Sequence, residues 1–138
     1  MKAIKKAKKR AEIGLAAYAS CGAWEITLDQ ATTGNERWFA QVEGPALYLY
    51  FEIESPKVVD RVMEFLGIGS RPPSSEEALL LGRMGKTPLS LTRDTEYKDR
   101  YFLEIGPPAS LLGTLTISDT NLSDLKQALR KLKDDVVE

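Results

Sequence analysis

Side chains that could carry out chemistry are few in this sequence. It contains no histidine and a single cysteine, Cys21, which excludes His-based triads, His-ligated metals and an internal disulfide. Residues 82–87 end like a phosphate-binding loop, but Pro88 and a strand pattern follow where that mechanism needs a helix. Acidic pairs such as Glu52 and Glu54 lack the spacing of an oxygen-rich cation loop, which indicates solvated surface. We therefore expect no catalytic residue, no metal site and no cofactor.

The overall composition is that of a small globular chain. Its 138 residues are 43% hydrophobic and 28% charged, and 19 basic against 20 acidic residues give a net charge of −1. This balance removes the usual electrostatic argument for nucleic-acid binding. Six of the basic residues lie between positions 2 and 10, in a basic N-terminal arm that we delimit at residues 1–11. No run approaches the roughly 18 apolar residues of a membrane span, and the single cysteine suits a reducing compartment, so we expect a cytoplasmic protein without membrane contact.

The chain matches itself at an offset of 63 residues. Ile26 falls on Leu89, and residues 37–42 fall on residues 100–105, with polar and apolar positions alternating in phase. Downstream, the apolar stripe that includes Val59 falls on the corresponding stripe near the C-terminus. This agreement predicts two copies of one structural unit.

Each copy is predicted to hold four strands followed by one helix. Trp24, Ile26 and Leu28 alternate with polar residues at the period of two that indicates a half-buried strand. The sequence therefore predicts an α+β fold, a tandem ββββα repeat in which two antiparallel sheets each carry one helix within a pseudo-twofold single domain. The predicted boundaries are residues 12–66 for the first unit, 67–76 for the linker and 77–138 for the second unit. The expected cores are Trp24, Trp38, Leu49 and Phe51 in the first unit, and Leu89, Tyr101, Leu103 and Leu115 in the second.

This order of elements resembles the Whirly and positive-cofactor type of transcriptional coactivator, a single-stranded-DNA-binding fold in which Whirly proteins carry ββββα twice in one chain. The resemblance covers roughly residues 12–136 and rests on element order and duplication. It implies single-stranded nucleic-acid binding. The chain lacks the basic Lys-Gly-Lys-Ala-type strand of plant Whirly proteins, so no binding residue is carried over from that family.

Aromatic residues point outward from the predicted hairpin of the first unit. With a turn centred on Gly44 and Pro45, we expect Phe39 to lie opposite Tyr50. Exposed aromatics on an open sheet either stack bases or form protein contacts. Residues 11–70 hold nine acidic and three basic groups, a net charge of −6 that repels phosphates. The charge therefore favours a protein interface.

Two functions from different classes follow from these patterns. The favoured one is a non-catalytic protein-interaction or oligomerisation module that contacts a protein partner or a second copy of itself. Its expected interaction surface consists of Phe39, Tyr48, Tyr50 and Phe102. The alternative is a single-stranded nucleic-acid-binding transcriptional regulator. Its expected contacts are Lys5, Lys6, Lys8, Lys9, Arg10, Arg37 and Arg100.

Overall fold

The computed structural model describes residues 15–31, 37–68 and 77–136. The predicted basic arm lies outside these residues, as does most of the predicted linker. The elements in chain order are β1 (Leu15–Cys21), β2 (Trp24–Gln30), β3 (Trp38–Gly44), β4 (Leu47–Ile53), α1 (Val58–Phe65), β5 (Ala78–Met84), β6 (Thr87–Arg93), β7 (Tyr101–Ile105), β8 (Gly113–Ile117) and α2 (Asp119–Asp135). All eight strands belong to one antiparallel sheet, whose spatial order is the chain order from β1 to β8.

The prediction of a tandem repeat with two sheets and one helix per sheet is wrong, because β4 and β5 join the two halves into one sheet. These strands pair at Glu52 and Arg83. Gly82 permits the approach, since a Cβ at this position would lie 2.1 Å from the carbonyl oxygen of Glu52. Separate sheets would leave the edges of both strands with unpaired N–H and C=O groups, and joining them removes two edges. Alternation in a sequence identifies strands, but it does not say which edges pair.

One core lies on the sheet face that carries the helices, which we call the inner face; the opposite side is the outer face. The helix α2 follows the second half of the chain, yet it packs on β1 and β2 of the first half. The two helices also meet, through an ion pair of 2.5 Å between Lys133 and Asp60. The expectation of two separate cores is therefore wrong. Trp24, Leu49, Phe51, Leu89, Tyr101 and Leu103 are buried in a single cluster, with Trp38 and Leu115 half-buried against it.

The hairpin of β3 and β4 differs from its predicted register by two residues. Gly44 pairs with Leu47, so the turn is centred on Pro45 and Ala46, and Ala46 has a left-handed φ of 62°. Phe39 consequently lies opposite Glu52 and not opposite Tyr50. A shift of two leaves every side chain on its expected face, because successive side chains alternate between the faces.

Candidate interaction surface

Three cross-strand rows of side chains cover the outer face of β1 to β4. They stand outward because their neighbours along each strand, such as Ile26 and Leu28, are buried under the helices. The first row is Ser20, Glu25, Glu43 and Tyr48; the second is Tyr18, Thr27, Gln41 and Tyr50; the third is Asp29, Phe39 and Glu52. We call six of these residues the acidic aromatic face: Glu25, Asp29, Phe39, Glu43, Tyr48 and Tyr50.

The aromatic part of this face is held open to solvent. Tyr48 and Tyr50 are 60% and 49% exposed. The rings of Phe39 and Tyr50 stack, with centroids 5.4 Å apart and planes inclined by 5°. They occupy neighbouring rows, so they meet diagonally across β3 and β4, which is within the reach of aromatic side chains. The contact expected between these two residues is therefore present, although in a different register.

Arg37 of the chain itself makes a cation–π contact with Phe39, one of the two stacked rings. The guanidinium carbon of Arg37 lies 5.3 Å from the centroid of the Phe39 ring. Its Nη2 and Nε atoms donate to the two carboxylate oxygens of Glu52 at 2.8 and 3.1 Å. This hydrogen bonding raises the pKa of Arg37 and lowers the pKa of Glu52. The arrangement combines a bidentate ion pair with a cation–π contact, the two interactions for which arginine is best suited.

The first row places two negative charges side by side. Glu25 and Glu43 are direct partners on β2 and β3. Neither carboxylate takes part in an ion pair within the residues that the structure describes. Like charges directly opposite on neighbouring strands are destabilising, by an amount on the order of 0.2–1 kcal/mol. Exposed Tyr48 stands beside Glu43 on β4 and completes the row.

Local burial affects two titratable groups of the face, Asp29 and the hydroxyl of the half-exposed Tyr50. Burial raises the pKa of Asp29, which lies opposite Phe39. The pKa of Tyr50 is raised by burial, and further by the charge of Asp29 and by Tyr48. The hydroxyl of Tyr18 donates to the Glu25 carboxylate at 2.8 Å. A carboxylate beside stacked rings in a partly desolvated setting attracts cations more strongly than one in open water.

Phe102 does not belong to this face. It lies on β7, opposite Thr92 and Thr116, three strands away from Tyr50. At a strand spacing of about 4.8 Å this is a separation of about 14 Å across the sheet. Sequence reasoning grouped Phe102 with Phe39 because the two positions correspond in the repeat. In a single sheet, corresponding positions lie four strands apart.

The basic residues named for nucleic-acid contact divide into two sets. Arg37 pairs with Glu52, and Arg100 pairs with Asp94 at 2.5 Å while lying over the Tyr97 ring at 4.0 Å. The two candidate arginines that the structure describes, Arg37 and Arg100, therefore each have a carboxylate partner within the chain. The remaining candidates, Lys5, Lys6, Lys8, Lys9 and Arg10, lie outside the described residues.

Sequence reasoning missed how the acidic residues of the face are arranged across the strands. The alternation places Glu25, Asp29 and Glu43 on the outward side of their strands, but it does not predict which of them are neighbours, because a single strand does not show what lies beside it. Tyr18 was missed as well, although the alternation of small apolar residues around it in β1 places it outward. Knowledge of the β2–β3 register would have identified the Glu25–Glu43 pair.

The inner face encloses a cavity of about 90 Å³ between the sheet and both helices. Its lining atoms are apolar, whereas ligand pockets typically hold about 300–1,000 Å³ and a few orienting polar groups. The cavity is therefore a packing void and does not resemble a metabolite site. No group of three or more cysteine, aspartate and glutamate side chains able to hold a metal occurs in the described part of the chain.

Comparison of the chain with protein-family models, with curated proteins and with solved structures gives no match. Among the described residues, neither helix has the length and apolar character needed to cross a membrane. The chemistry of the outer face is therefore the basis for a functional proposal.

Proposed function

We propose that this protein is a non-catalytic binding module that holds an arginine-rich segment of a protein partner on its acidic aromatic face. The observation that carries the proposal is the pairing of Glu25 with Glu43 beside the exposed ring of Tyr48. A cation placed between the two carboxylates converts a repulsive pair into an attractive site. The adjacent ring offers that cation a π-face.

The chain's own Arg37 illustrates the chemistry expected of the partner. It stacks on Phe39 while pairing with Glu52. A partner arginine stacked on the Tyr50 side of the Phe39–Tyr50 pair would have the Asp29 carboxylate nearby, since Asp29 lies directly opposite Phe39 in the third row. Arginine suits such a site better than lysine, since its planar guanidinium stacks and pairs at the same time.

Charge argues against a nucleic acid as the occupant of this face. Three of its six residues are carboxylates, and Arg37, which immediately precedes β3, is already paired with Glu52. A nucleic acid gains affinity when lysine and arginine side chains neutralise its phosphates and displace the bound counterions into solution, and none of the six residues of this face is basic. Support for a non-catalytic role comes from the absence of histidine in the sequence and from the setting of Cys21, whose thiol contacts Gln127 at 3.4 Å on α2.

The test is a binding titration with three fluorescent probes: a short Arg-Gly repeat peptide, its Glu-Gly counterpart and a single-stranded oligonucleotide. We expect only the Arg-Gly peptide to bind through the face, with affinity that falls as NaCl rises from about 50 to about 200 mM. The combined variant Glu25→Gln/Glu43→Gln should weaken binding about tenfold or more, equivalent to about 1.4 kcal/mol. Tyr48→Ser/Tyr50→Ser should have a similar effect, because it removes the exposed rings on which an arginine would stack. Both combined variants leave the inner face unchanged, so the fold should be retained.

Glu104→Gln provides the matched control. Glu104 is also an outer-face glutamate, but it lies on β7 opposite Ser90 and Thr114. Removing its charge should leave the affinity for the peptide nearly unchanged. Equal losses in Glu104→Gln and in the β2–β3 variants would mean that only net charge matters, which would overturn the proposal. Oligonucleotide binding that Tyr48→Ser/Tyr50→Ser abolishes would support the nucleic-acid alternative instead.

A further inference from the structure

The two edge strands of the sheet, β1 and β8, differ in whether their outward backbone groups have hydrogen-bond partners. At the β1 edge, side chains of α2 satisfy outward backbone groups: the Tyr18 amide donates to Asp135 Oδ2 at 2.7 Å, and Lys131 Nζ donates to the Ser20 carbonyl at 3.1 Å. The register of β1 also shifts between Leu15 and Ala17. Coverage and irregular pairing are both devices that prevent a sheet edge from accepting another strand.

Within residues 15–31, 37–68 and 77–136, neither device is present at the β8 edge. This strand, Gly113–Ile117, pairs with β7 alone and in an uninterrupted register. It contains no charged residue and no proline. The outer-face side chains of Thr114 and Thr116 are exposed, and the preceding Leu112 is 75% exposed. An uncharged and regular edge is a template for strand addition.

The hydrogen-bonding pattern identifies the backbone groups that face outward at this edge. The Gly106 amide donates to the Pro88 carbonyl at 2.9 Å, which makes Leu89 and Ile105 a non-hydrogen-bonded pair. The backbone groups of Ile105 therefore point toward β8, and by alternation those of Leu103 and Tyr101 do the same. On β8 the groups of Gly113, Leu115 and Ile117 then face β7, while the N–H and C=O groups of Thr114 and Thr116 face away from the sheet.

We infer that the β8 edge pairs with the β8 edge of a second copy of this chain, antiparallel and centred on Leu115. In this register Thr114 of each copy lies opposite Thr116 of the other, so four backbone hydrogen bonds form and all outward groups of the two threonines are used. The sequence Thr-Leu-Thr reads the same in both directions and suits a twofold contact. The two Leu115 side chains meet on the inner face.

A second copy is favoured over continuous growth because the opposite edge of the sheet is closed. Addition of β8 to the β1 edge of another molecule would displace the contacts of Asp135 and Lys131. Only the twofold contact is therefore open, and it ends at two copies. The paired edges are short, so the contact falls below the roughly 1,200 Å² of a standard interface, and we expect a weak dimer with a Kd on the order of 10–100 μM.

Sedimentation equilibrium of the full chain from about 1 to about 500 μM tests the inference, together with concentration-dependent amide NMR shifts. We expect a monomer–dimer equilibrium, with shifts concentrated at the Thr114 and Thr116 amides. The Tyr18 amide, already bonded to Asp135, should not move. This readout concerns a different surface from the acidic aromatic face, so failure here would leave the proposed function standing, and the reverse also holds.

Two substitutions of Thr116 test whether the dimer forms through the β8 edge. Thr116→Pro removes an outward donor without removing a bond to β7, and it should weaken dimerisation about tenfold or more. Thr116→Lys should do the same through charge, because lysine on an edge strand opposes pairing. Thr92→Lys is the matched control: it lies in the same cross-strand row, on the far side of Phe102 and away from the edge. A chain that stays monomeric at every concentration, or a dimer that both Thr116 variants leave intact, would overturn the inference.

Discussion

The indole Nε1 of Trp24 donates a hydrogen bond of 2.8 Å to the backbone carbonyl of Asn121. This bond joins the start of β2 to the first turn of α2, across 97 positions of the chain. Trp24 is also one of the most deeply buried residues, with 2% of its surface exposed. We therefore expect the first strands and α2 to unfold together as a single cooperative unit.

Replacing Trp24 with phenylalanine tests this cooperation. We expect Trp24→Phe to lower the free energy of unfolding by about 1–3 kcal/mol, from the lost bond and the lost ring volume. Urea unfolding should remain a single transition, and hydrogen exchange should accelerate in α2 as well as in β2. Trp38→Phe, a half-buried position, should cost less. Loss of protection confined to residues 15–68 would contradict a shared core.

The acidic pair of the outer face should be a stability liability. Removing the repulsion in Glu25→Gln/Glu43→Gln should raise the free energy of unfolding by about 0.2–1 kcal/mol while binding of the Arg-Gly peptide falls. Chemical denaturation at low salt measures the gain, which should shrink as added salt screens the charges. A variant that loses stability together with binding would indicate that the pair has a structural role.

Asp94 should make stability dependent on acid pH. The pKa of Asp94 is lowered most by a hydrogen bond from the Glu96 backbone amide, and further by one from the Arg100 guanidinium. The Tyr97 backbone amide also donates to this carboxylate. A lowered folded-state pKa contributes stability that is complete above the unfolded value and is lost as the pH falls through the folded value. Asp94→Asn should therefore be less stable than the wild type at pH near 7, and the difference should disappear in strong acid.

Urea unfolding at several pH values between about 7 and about 2 measures that difference. Glu96→Gln is the control, because it changes an exposed carboxylate of the same loop. Its stability should follow the wild type across the range. A gap between Asp94→Asn and the wild type that stays constant with pH would show that the carboxylate's charge is not involved.

Gly82 should be intolerant of any side chain. A methyl group there would meet the Glu52 carbonyl oxygen and, at 2.8 Å, the Phe51 ring. We expect Gly82→Ala to cost about 1–3 kcal/mol and to loosen the junction of β4 and β5, because the crowded atom is backbone. Gly85→Asn is the control, since that position has open space and a φ of +63° that asparagine accepts. Thermal melts should show a lower Tm for Gly82→Ala and a nearly unchanged Tm for Gly85→Asn. Equal losses in both variants would mean that crowding at Gly82 is not the cause.

The sequence was informative about elements and faces, and uninformative about long-range pairing. Alternation around Trp24 and Leu49 marks strands whose apolar side must be buried, and it also places Tyr48 and Tyr50 outward, as the structure shows. The union of β4 with β5 depends on how closely Gly82 can approach Glu52, which is a property of three-dimensional packing. The position of Phe102 depends on the same union, so it could not be inferred from the repeat.

The contacts between α2 and β1 also determine when this protein can fold. On the ribosome, β1 emerges almost a hundred residues before α2, a delay on the order of 5–20 s at ordinary rates of synthesis. During that time the amide of Tyr18 lacks Asp135 and the indole of Trp24 lacks Asn121. The nascent chain therefore carries an open strand and a bare apolar surface until α2 has emerged. The fold of these strands consequently waits for α2, and β1 and β2 are the part of the described chain that most needs a chaperone in that interval.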